Sequence, residues 1–305
     1  MVRILGTLFA GLLGLAFGSF LNVCLSRWPE GESVVEPRSH CRSCDRALAW
    51  WENIPLLSWL ALRGRCRTCK TPIGWRYPLV ELALGALWAI VGWQFPLWTF
   101  DPNLPRTAFV YAVGAAVGLM VFYWLLVALA VLDAENLWLP NALTLPGALL
   151  GFAFAVLNPI FQVQLDSMTG LPVTGNWESL RSGLLHTIFA RLLGILGAAG
   201  LILLIRWVYW LIRRQEGIGL GDAKLMAFLA AWMGFPGALV AFVIGVLLGA
   251  VAALVLLLSP KASHTAGAWA TTKLPLGTFL CIGGMVSALW GQQLIAAYLR
   301  LEGFR

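Results

Sequence analysis

Hydrophobic residues occur along this chain in long runs, where a soluble domain would break them up with charged positions. A helix needs about 20 apolar residues to cross a hydrocarbon core about 30 Å thick. The runs of roughly that length or longer cover residues 4–24, 79–98, 107–132, 138–158, 183–205, 224–258 and 275–299. The run 224–258 is too long for one upright helix, and Gly234, Pro236 and Gly237 interrupt it near its start. We therefore predict seven or eight spans, with eight favoured, in which residues 224–235 form a short or tilted helix.

The composition agrees with this pattern. Of the 305 residues, 60% are hydrophobic and 11% are charged, 16 are Trp, and the mean hydropathy is +0.81. A typical soluble domain carries about 25% charged residues. The first run follows Arg3 but lacks a convincing small-x-small cleavage site, so it predicts a retained helix and not a secretory signal. The predicted fold class is all-α, a polytopic membrane helical bundle.

Positive charge is concentrated in the first predicted loop. Residues 25–77 carry nine of the 21 Lys and Arg residues, and short loops rich in these residues stay on the cytoplasmic side of a membrane. The amino terminus is therefore predicted to lie outside, and residues 206–224 return to the cytoplasmic side. Orientation and contact with anionic membrane lipids account for most of the net charge of +7. No nucleic-acid-binding motif accompanies the charge, so nucleic acid is not expected as a partner.

The same loop contains two Cys-x-x-Cys pairs, Cys41 with Cys44 and Cys66 with Cys69, separated by 21 residues. This spacing predicts a structural four-cysteine zinc site. Disulfides or a redox pair are the alternative, which a reducing cytosol disfavours. A loop of about 50 residues has difficulty building a core alone, so we expect the metal to fold it as a small zinc-ribbon-like domain. The predicted organisation is a first transmembrane helix (1–24), the zinc-binding loop (25–77) and a transmembrane domain (78–305).

Two aspartates adjoin long apolar runs. Asp133 precedes a Pro-Asn pair by seven residues, and Asp222 ends the segment Gly-Leu-Gly-Asp at 219–222. A carboxylate at the edge of hydrocarbon is costly, so its default interpretation is function. Counting spans places both at cytoplasmic helix ends. Two close carboxyls tend to share one proton, so one can activate water while the other protonates a peptide carbonyl oxygen. The alternatives are a helix start capped by Asp222, and a transporter in which the pair relays protons or binds cations.

Several motifs occur in a fixed order over nearly the whole chain. They are Gly-Ser-Phe-Leu-Asn-Val at 18–23, the paired Cys-x-x-Cys motifs, Glu-Asn-Ile-Pro-Leu-Leu-Ser-Trp at 52–59, Arg-Tyr-Pro-Leu-Val-Glu at 76–81, Asp-x6-Pro-Asn from 133 and Gly-x-Gly-Asp at 219–222. Together they resemble the bacterial type IV prepilin peptidases, which are Gly-x-Gly-Asp aspartic peptidases. The resemblance implies an inner-membrane enzyme that removes the short basic leader from prepilins and type II secretion pseudopilins. It also implies methylation of the new amino terminus with S-adenosylmethionine, for which no standard sequence motif is visible.

The resemblance assigns the catalytic roles to Asp133 and Asp222. Many members carry further aspartates where this chain has Glu135 and Asn141, which argues that neither position supplies the catalytic acid. The family's Pro-Phe-Gly-Pro-Phe becomes Pro-Leu-Gly-Thr-Phe at 275–279, a change expected to affect only the local shape of the pocket.

Substrate contacts are expected at two places. Gly219 and Gly221 allow an extended peptide to approach the backbone beside Asp222. Three acidic residues at the membrane edge are expected to attract a basic leader, and these are Glu30, Glu32 and Glu36.

Four other polar residues near the membrane have two open interpretations, binding of substrate or cofactor and pairing between helices. They are Asn22, Glu52, Asn53 and Glu81. The alternative functions are another Gly-x-Gly-Asp protease that cuts transmembrane helices, against which the zinc-type loop argues, and a proton- or cation-coupled transporter, against which the lack of an internal repeat argues. The sequence leaves the oligomeric state unspecified.

Overall fold

A computed structural model of the chain describes residues 2–95, 106–158, 177–215, 219–258 and 274–301. These residues are overwhelmingly helical, and the described part contains two isolated β-bridges but no strand. The all-α prediction is therefore confirmed. The chain divides into two compact units, Met1–Ala128 (unit 1) and Leu129–Arg305 (unit 2).

Unit 1 contains the helices α1 (Val2–Arg27), α2 (Leu57–Ala61), α3 (Arg76–Gln94) and most of α4 (Arg106–Asn136), with short 3-10 turns at Trp28–Glu30 and Trp50–Asn53. Helix α1 packs closely along α3. A Cβ atom added to Gly18 would lie 2.7 Å from the Cα atom of Glu81, so glycine is needed for this approach. Close packing over small residues is how helices associate in lipid.

Unit 2 contains the end of α4 and the helices α5 (Asn141–Leu157), α6 (Trp177–Arg213), α7 (Leu220–Leu258) and α8 (Leu276–Leu301). Helix α7 packs against α5, α6 and α8. Its indole at Trp232 is fully buried and donates to the Gly147 carbonyl at 2.8 Å. Helix α7 is broken at Gly234, where φ is 73° and ψ is 173°. The interruption predicted inside the run 224–258 is therefore present.

Five helices of the described chain are long and apolar enough to cross a membrane, and they span Arg3–Glu30, Phe109–Asn136, Leu184–Arg213, Leu220–Leu258 and Leu276–Leu301. Helix α5 is apolar but shorter. The predicted span 79–98 matches α3 as far as Gln94, and its residues 96–98 lie outside the described part. The chain is thus built as a multi-pass membrane protein, while the number of seven or eight spans stays a prediction.

Candidate functional site

Asp133 lies in the last turn of α4 and is 6% exposed. Its Oδ2 atom accepts the backbone N–H of Thr278 at 2.7 Å and lies 3.2 Å from the Thr278 hydroxyl. That hydroxyl also lies 3.0 Å from the carbonyl oxygen of Ala130. Because the hydroxyl has one proton and two lone pairs, it can donate to an ionised Asp133, or accept from a protonated Asp133 while donating to Ala130. The contact therefore suits both protonation states of the carboxyl group.

Asp222 lies in the first turn of α7, at the end of the Gly-Leu-Gly-Asp segment. Its Oδ2 atom accepts the backbone N–H of Gly219 at 3.2 Å, and its own N–H points to the Gly219 carbonyl oxygen at 3.3 Å. The nearby cation of Lys224 is directed elsewhere, since its Nζ atom donates to Asn141 Oδ1 at 2.8 Å. Asp222 thus has a local cap-like contact, as the alternative interpretation expected, but no ion pair among the described residues.

The side chain of Leu139 lies between Gly277, which is next to Asp133, and Gly221, which precedes Asp222. A Cβ atom added to Gly277 would lie 2.8 Å from Asp133 Oδ2 and 3.1 Å from Leu139 Cδ1, and one added to Gly221 would lie 3.2 Å from the same Leu139 atom. The two carboxyl groups are close enough to interact electrostatically. The structure therefore brings the predicted pair, Gly219 and Gly221 into one cluster at helix ends within unit 2.

Thr278 is a member of this cluster that the sequence did not single out. The change at 275–279 was expected to alter only the shape of the pocket, yet Thr278 supplies two polar contacts to Asp133. One signal was available, because the first N–H groups of a helix lack partners within it and α8 begins at Leu276. The 145-residue separation hides the partner from local pattern analysis.

The four predicted metal ligands form a second cluster, in unit 1. The sulfur atoms of Cys41, Cys44, Cys66 and Cys69 all lie within 4.8 Å of one another. The Sγ atoms of Cys41 and Cys69 are 3.7 Å apart, close to the edge of about 3.8 Å that a tetrahedron with Zn–S bonds of about 2.3 Å requires. All four cysteines are free thiols. The convergence predicted from the spacing is confirmed, and the disulfide alternative does not fit.

The two cysteine pairs have matching backbone geometry. In the first, Asp45 N–H donates to the Cys41 carbonyl at 2.8 Å, and in the second, Lys70 N–H donates to the Cys66 carbonyl at 3.1 Å. Both donors have positive φ, 53° for Asp45 and 62° for Lys70. Hydrogen bonding with the side chain and the backbone of Thr71 lowers the pKa of Cys69 to about 6. Each pair forms a tight turn that points its thiols at a common centre.

The acidic residues of unit 1 fall into different settings. Glu52 is buried and forms bonds of 2.9 and 2.7 Å to Arg46, besides accepting the Ala49 N–H at 2.8 Å. The Arg46 hydrogen bonds hold the pKa of Glu52 below its ordinary value. Glu52 is therefore paired within the loop, and not between helices as one of the two interpretations expected. Glu30 is one of the three acids expected to attract a basic leader. It forms a 2.9 Å ion pair with Arg42, which offsets its negative charge. The other two are exposed and have no ion pair in the described chain, and these are Glu32 and Glu36.

Comparisons with known proteins decide the family. Residues 12–95 match the bacterial peptidase A24 N-terminal domain, and residues 120–254 match the type IV leader peptidase family. The chain belongs to the type IV leader peptidase family. Prepilin leader peptidase/N-methyltransferases of Stutzerimonas stutzeri and Pseudomonas aeruginosa are 33% and 32% identical to it, each over 96% of this chain and 93% of the relative. One of Myxococcus xanthus is 36% identical over 82% of this chain and 63% of the relative. No solved structure matches the chain significantly.

Proposed function

We propose that this protein is a membrane aspartic endopeptidase that removes the short basic leader from type IV prepilins and type II secretion pseudopilins, and then methylates the new amino terminus with S-adenosylmethionine. The proposal is supported by the family membership and by two relatives whose names include both activities. The chain matches these relatives over nearly their whole length. The proposed location is the bacterial inner membrane, with a periplasmic amino terminus and the aspartates at the cytoplasmic side. The positive charge of residues 25–77 supports this orientation.

The observation that carries the proposal is the aspartate pair in unit 2, with Asp133 held by neutral donors. Because two nearby carboxyls share a proton, one is ionised while the other is protonated. The ionised carboxylate takes a proton from water as the oxygen of that water attacks the scissile carbonyl carbon. The protonated carboxyl donates to the carbonyl oxygen, and a proton then passes to the departing amine as the C–N bond breaks. The two roles belong to the pair, and the Thr278 hydroxyl supports Asp133 in either state.

Substrate contacts are proposed at both units. Gly219 and Gly221 leave backbone accessible beside Asp222, which suits a peptide in extended conformation. Among the acidic residues, Glu32 and Glu36 supply negative charge that attracts a basic leader, whereas the charge of Glu30 is offset by Arg42. This attraction weakens as salt increases.

A structural zinc ion is proposed at the cysteine cluster, held by four thiolates. The spacing of the sulfur atoms and the two matching turns support it. When bound, zinc joins the two turns covalently and folds the loop. We further propose the organisation 1–24 as first transmembrane helix, 25–77 as zinc-binding loop and 78–305 as transmembrane peptidase domain.

The deciding experiment measures leader cleavage of a prepilin by purified protein in detergent. Asp133→Asn and Asp222→Asn each keep the side-chain shape and remove the titrating group, so we expect each to lower kcat by at least about 1,000-fold, as losses of such groups do. Glu135→Gln is the matched control, because it neutralises an acid at the same helix end and should cleave at the normal rate. Full cleavage by either aspartate variant would overturn the assignment.

A further inference from the structure

A short connection joins α4 to α5 beside the aspartate pair of unit 2, and it consists of residues 137–140. Leu137 and Trp138 are 51% and 40% exposed, whereas Leu139 is half-buried. The connection thus turns the Leu139 side chain toward the interior of the unit. The proposed peptidase chemistry gives this apolar side chain no role.

The space that Leu139 occupies is left open by two glycines. A Cβ atom added to Gly221 would lie 3.2 Å from Leu139 Cδ1, and one added to Gly277 would lie 3.1 Å from the same atom. Carbon atoms in favourable contact are about 3.5–4.0 Å apart, so a side chain at either glycine would displace Leu139. Gly221 directly precedes Asp222, and the Cβ position of Gly277 also lies 2.8 Å from Asp133 Oδ2. Leu139 is therefore an apolar neighbour of both segments that carry the carboxyl groups.

Hydrogen bonds hold the connection at both ends. At its start, the Leu137 N–H donates to the Asp133 carbonyl oxygen at 2.9 Å. Past its end, Asn141 Oδ1 accepts the Lys224 ammonium group at 2.8 Å, which ties the first residue of α5 to the beginning of α7. Leu139 is thus fixed relative to the helix ends that carry both aspartates. A wall that keeps its place can reject a side chain that is too large for the space beside it.

The position of Leu139 matters for a peptide that reaches the aspartates. Such a peptide must present its scissile carbonyl within hydrogen-bond reach of the carboxyl groups. In an extended peptide, successive side chains point to opposite sides. Of the two side chains that flank the scissile bond, one therefore points to the side where Leu139 lies, and the other points away from it. A charged side chain against Leu139 would lose its water without gaining a partner, so the side chain on that side should be apolar.

We propose that Leu139 is a specificity-determining residue of the peptidase site, where it forms the wall of a subsite for one apolar side chain of limited size next to the scissile bond. This inference rests on the proposed peptidase function and identifies a part of the substrate that the site selects. Leu139 contacts the substrate but transfers no proton. Changing it should therefore alter which side chains are accepted, while the aspartates still cleave the peptide.

The test measures kcat/KM for leader cleavage by the purified full-length protein in detergent. The substrates are variants of one prepilin in which the residue before and the residue after the scissile bond are changed, one at a time, to Gly, Ala, Leu or Phe. Leu139→Ala enlarges the subsite, so the preference for Leu over Ala should rise at least about tenfold at one of the two positions, as differences of a few methyl groups in apolar pockets do. Leu139→Phe should shift the preference at the same position toward the smaller side chains.

A purely structural role for Leu139 gives a different result. Loss of structure would lower kcat/KM for all substrates by the same factor, and unchanged ratios between substrates would overturn the proposal. The matched control is Leu145→Ala, because it removes the same atoms from a leucine of the same unit that is 54% exposed. This variant should keep both the rates and the ratios of wild type.

A second measurement uses the wild-type protein and covers the case in which the Leu139 variants do not fold. A prepilin that carries a diazirine analogue of leucine is prepared with the analogue before or after the scissile bond. Irradiation should crosslink one of these two substrates to a peptide that contains residues 137–141. Crosslinking of neither substrate to this peptide, by protein that cleaves leaders normally, would overturn the subsite alone. A wild-type protein that cleaves no leader would instead contradict the proposed function.

Discussion

The two units hold their buried acids in different ways. In unit 1, Glu52 forms two bonds to the guanidinium of Arg46 and a third to a backbone N–H. In unit 2, the donors that the described residues offer to Asp133 are the neutral groups of Thr278, and Asp133 interacts electrostatically with the carboxyl group of Asp222. An acid paired with arginine stays ionised, whereas an acid that faces neutral donors and a second carboxyl can exchange its proton. The difference separates a structural acid from a catalytic candidate.

The same contrast extends to how each unit is stabilised. The loop of unit 1 has little regular structure, and its order rests on tight turns, ion pairs and four converging thiols. Unit 2 is built from long helices that bury apolar side chains around α7. Perturbations of metal or charge should therefore affect unit 1 first, while changes of side-chain volume near Asp133 should affect catalysis without loss of fold.

The largest effect is expected from removing the metal. Structural zinc in small domains contributes about 10–16 kcal/mol of folding free energy, so Cys41→Ser or Cys69→Ser should abolish the one zinc ion expected per chain and make residues 25–77 sensitive to protease. Elemental analysis and limited proteolysis measure both outcomes. The control is Cys24→Ala, which changes a buried cysteine outside the cluster. A wild-type protein that is metal-free and protease-resistant would contradict the zinc assignment.

The next effect concerns the space around Asp133. The Cβ atom of Gly277→Ala would lie 2.8 Å from Asp133 Oδ2, so the carboxyl group must move. A displacement of about 1 Å in a catalytic group can lower the rate about 100-fold, and we expect a loss of that size in kcat for leader cleavage. Gly200→Ala is the control, because its Cβ would have no neighbour within 4 Å. A Gly277→Ala enzyme with normal kcat would show that the position of Asp133 does not matter.

These features differ in how far local sequence could reveal them. The spans, the break at Gly234 and the convergence of the cysteines follow from run length, backbone preference and ligand spacing, which are all short-range properties. The contact of Thr278 with Asp133 depends on how helices 145 residues apart pack. Likewise, the sequence alone leaves two roles for Glu52, ligand binding and pairing. The position of Arg46 in the structure is what favours pairing. Polar side chains can choose among many partners, so their assignments need the tertiary structure.

A smaller effect is expected from the hydroxyl of Thr278. Thr278→Val keeps the backbone N–H donor but removes one contact to Asp133. A hydrogen bond to a charged group contributes about 1.5–3 kcal/mol, so kcat should fall about tenfold or somewhat more, with a smaller change in KM. Thr278→Ser restores the hydroxyl and should recover most of the rate. If Thr278→Ser is as slow as Thr278→Val, the methyl packing is what counts and the hydroxyl has no positioning role.

The smallest effect is a pH dependence in unit 1. The pKa of Glu52 is held below its ordinary value of 4.5 by Arg46. An acid whose pKa is lowered by folding contributes its full stabilisation above the unfolded pKa, and the contribution disappears as the pH falls through the folded pKa. Glu52→Gln should therefore release zinc to a chelator faster than wild type, by the same factor at pH 7 as at pH 6. The ratio of the two release rates should decrease only below pH 4.5. Glu36→Gln, which changes an exposed acid of unit 1 outside the cysteine cluster, should match wild type throughout. If the ratio of the two release rates already decreases between pH 7 and pH 6, a different titrating group causes the effect. The ionised carboxylate of Glu52 would then not be what stabilises the loop of unit 1.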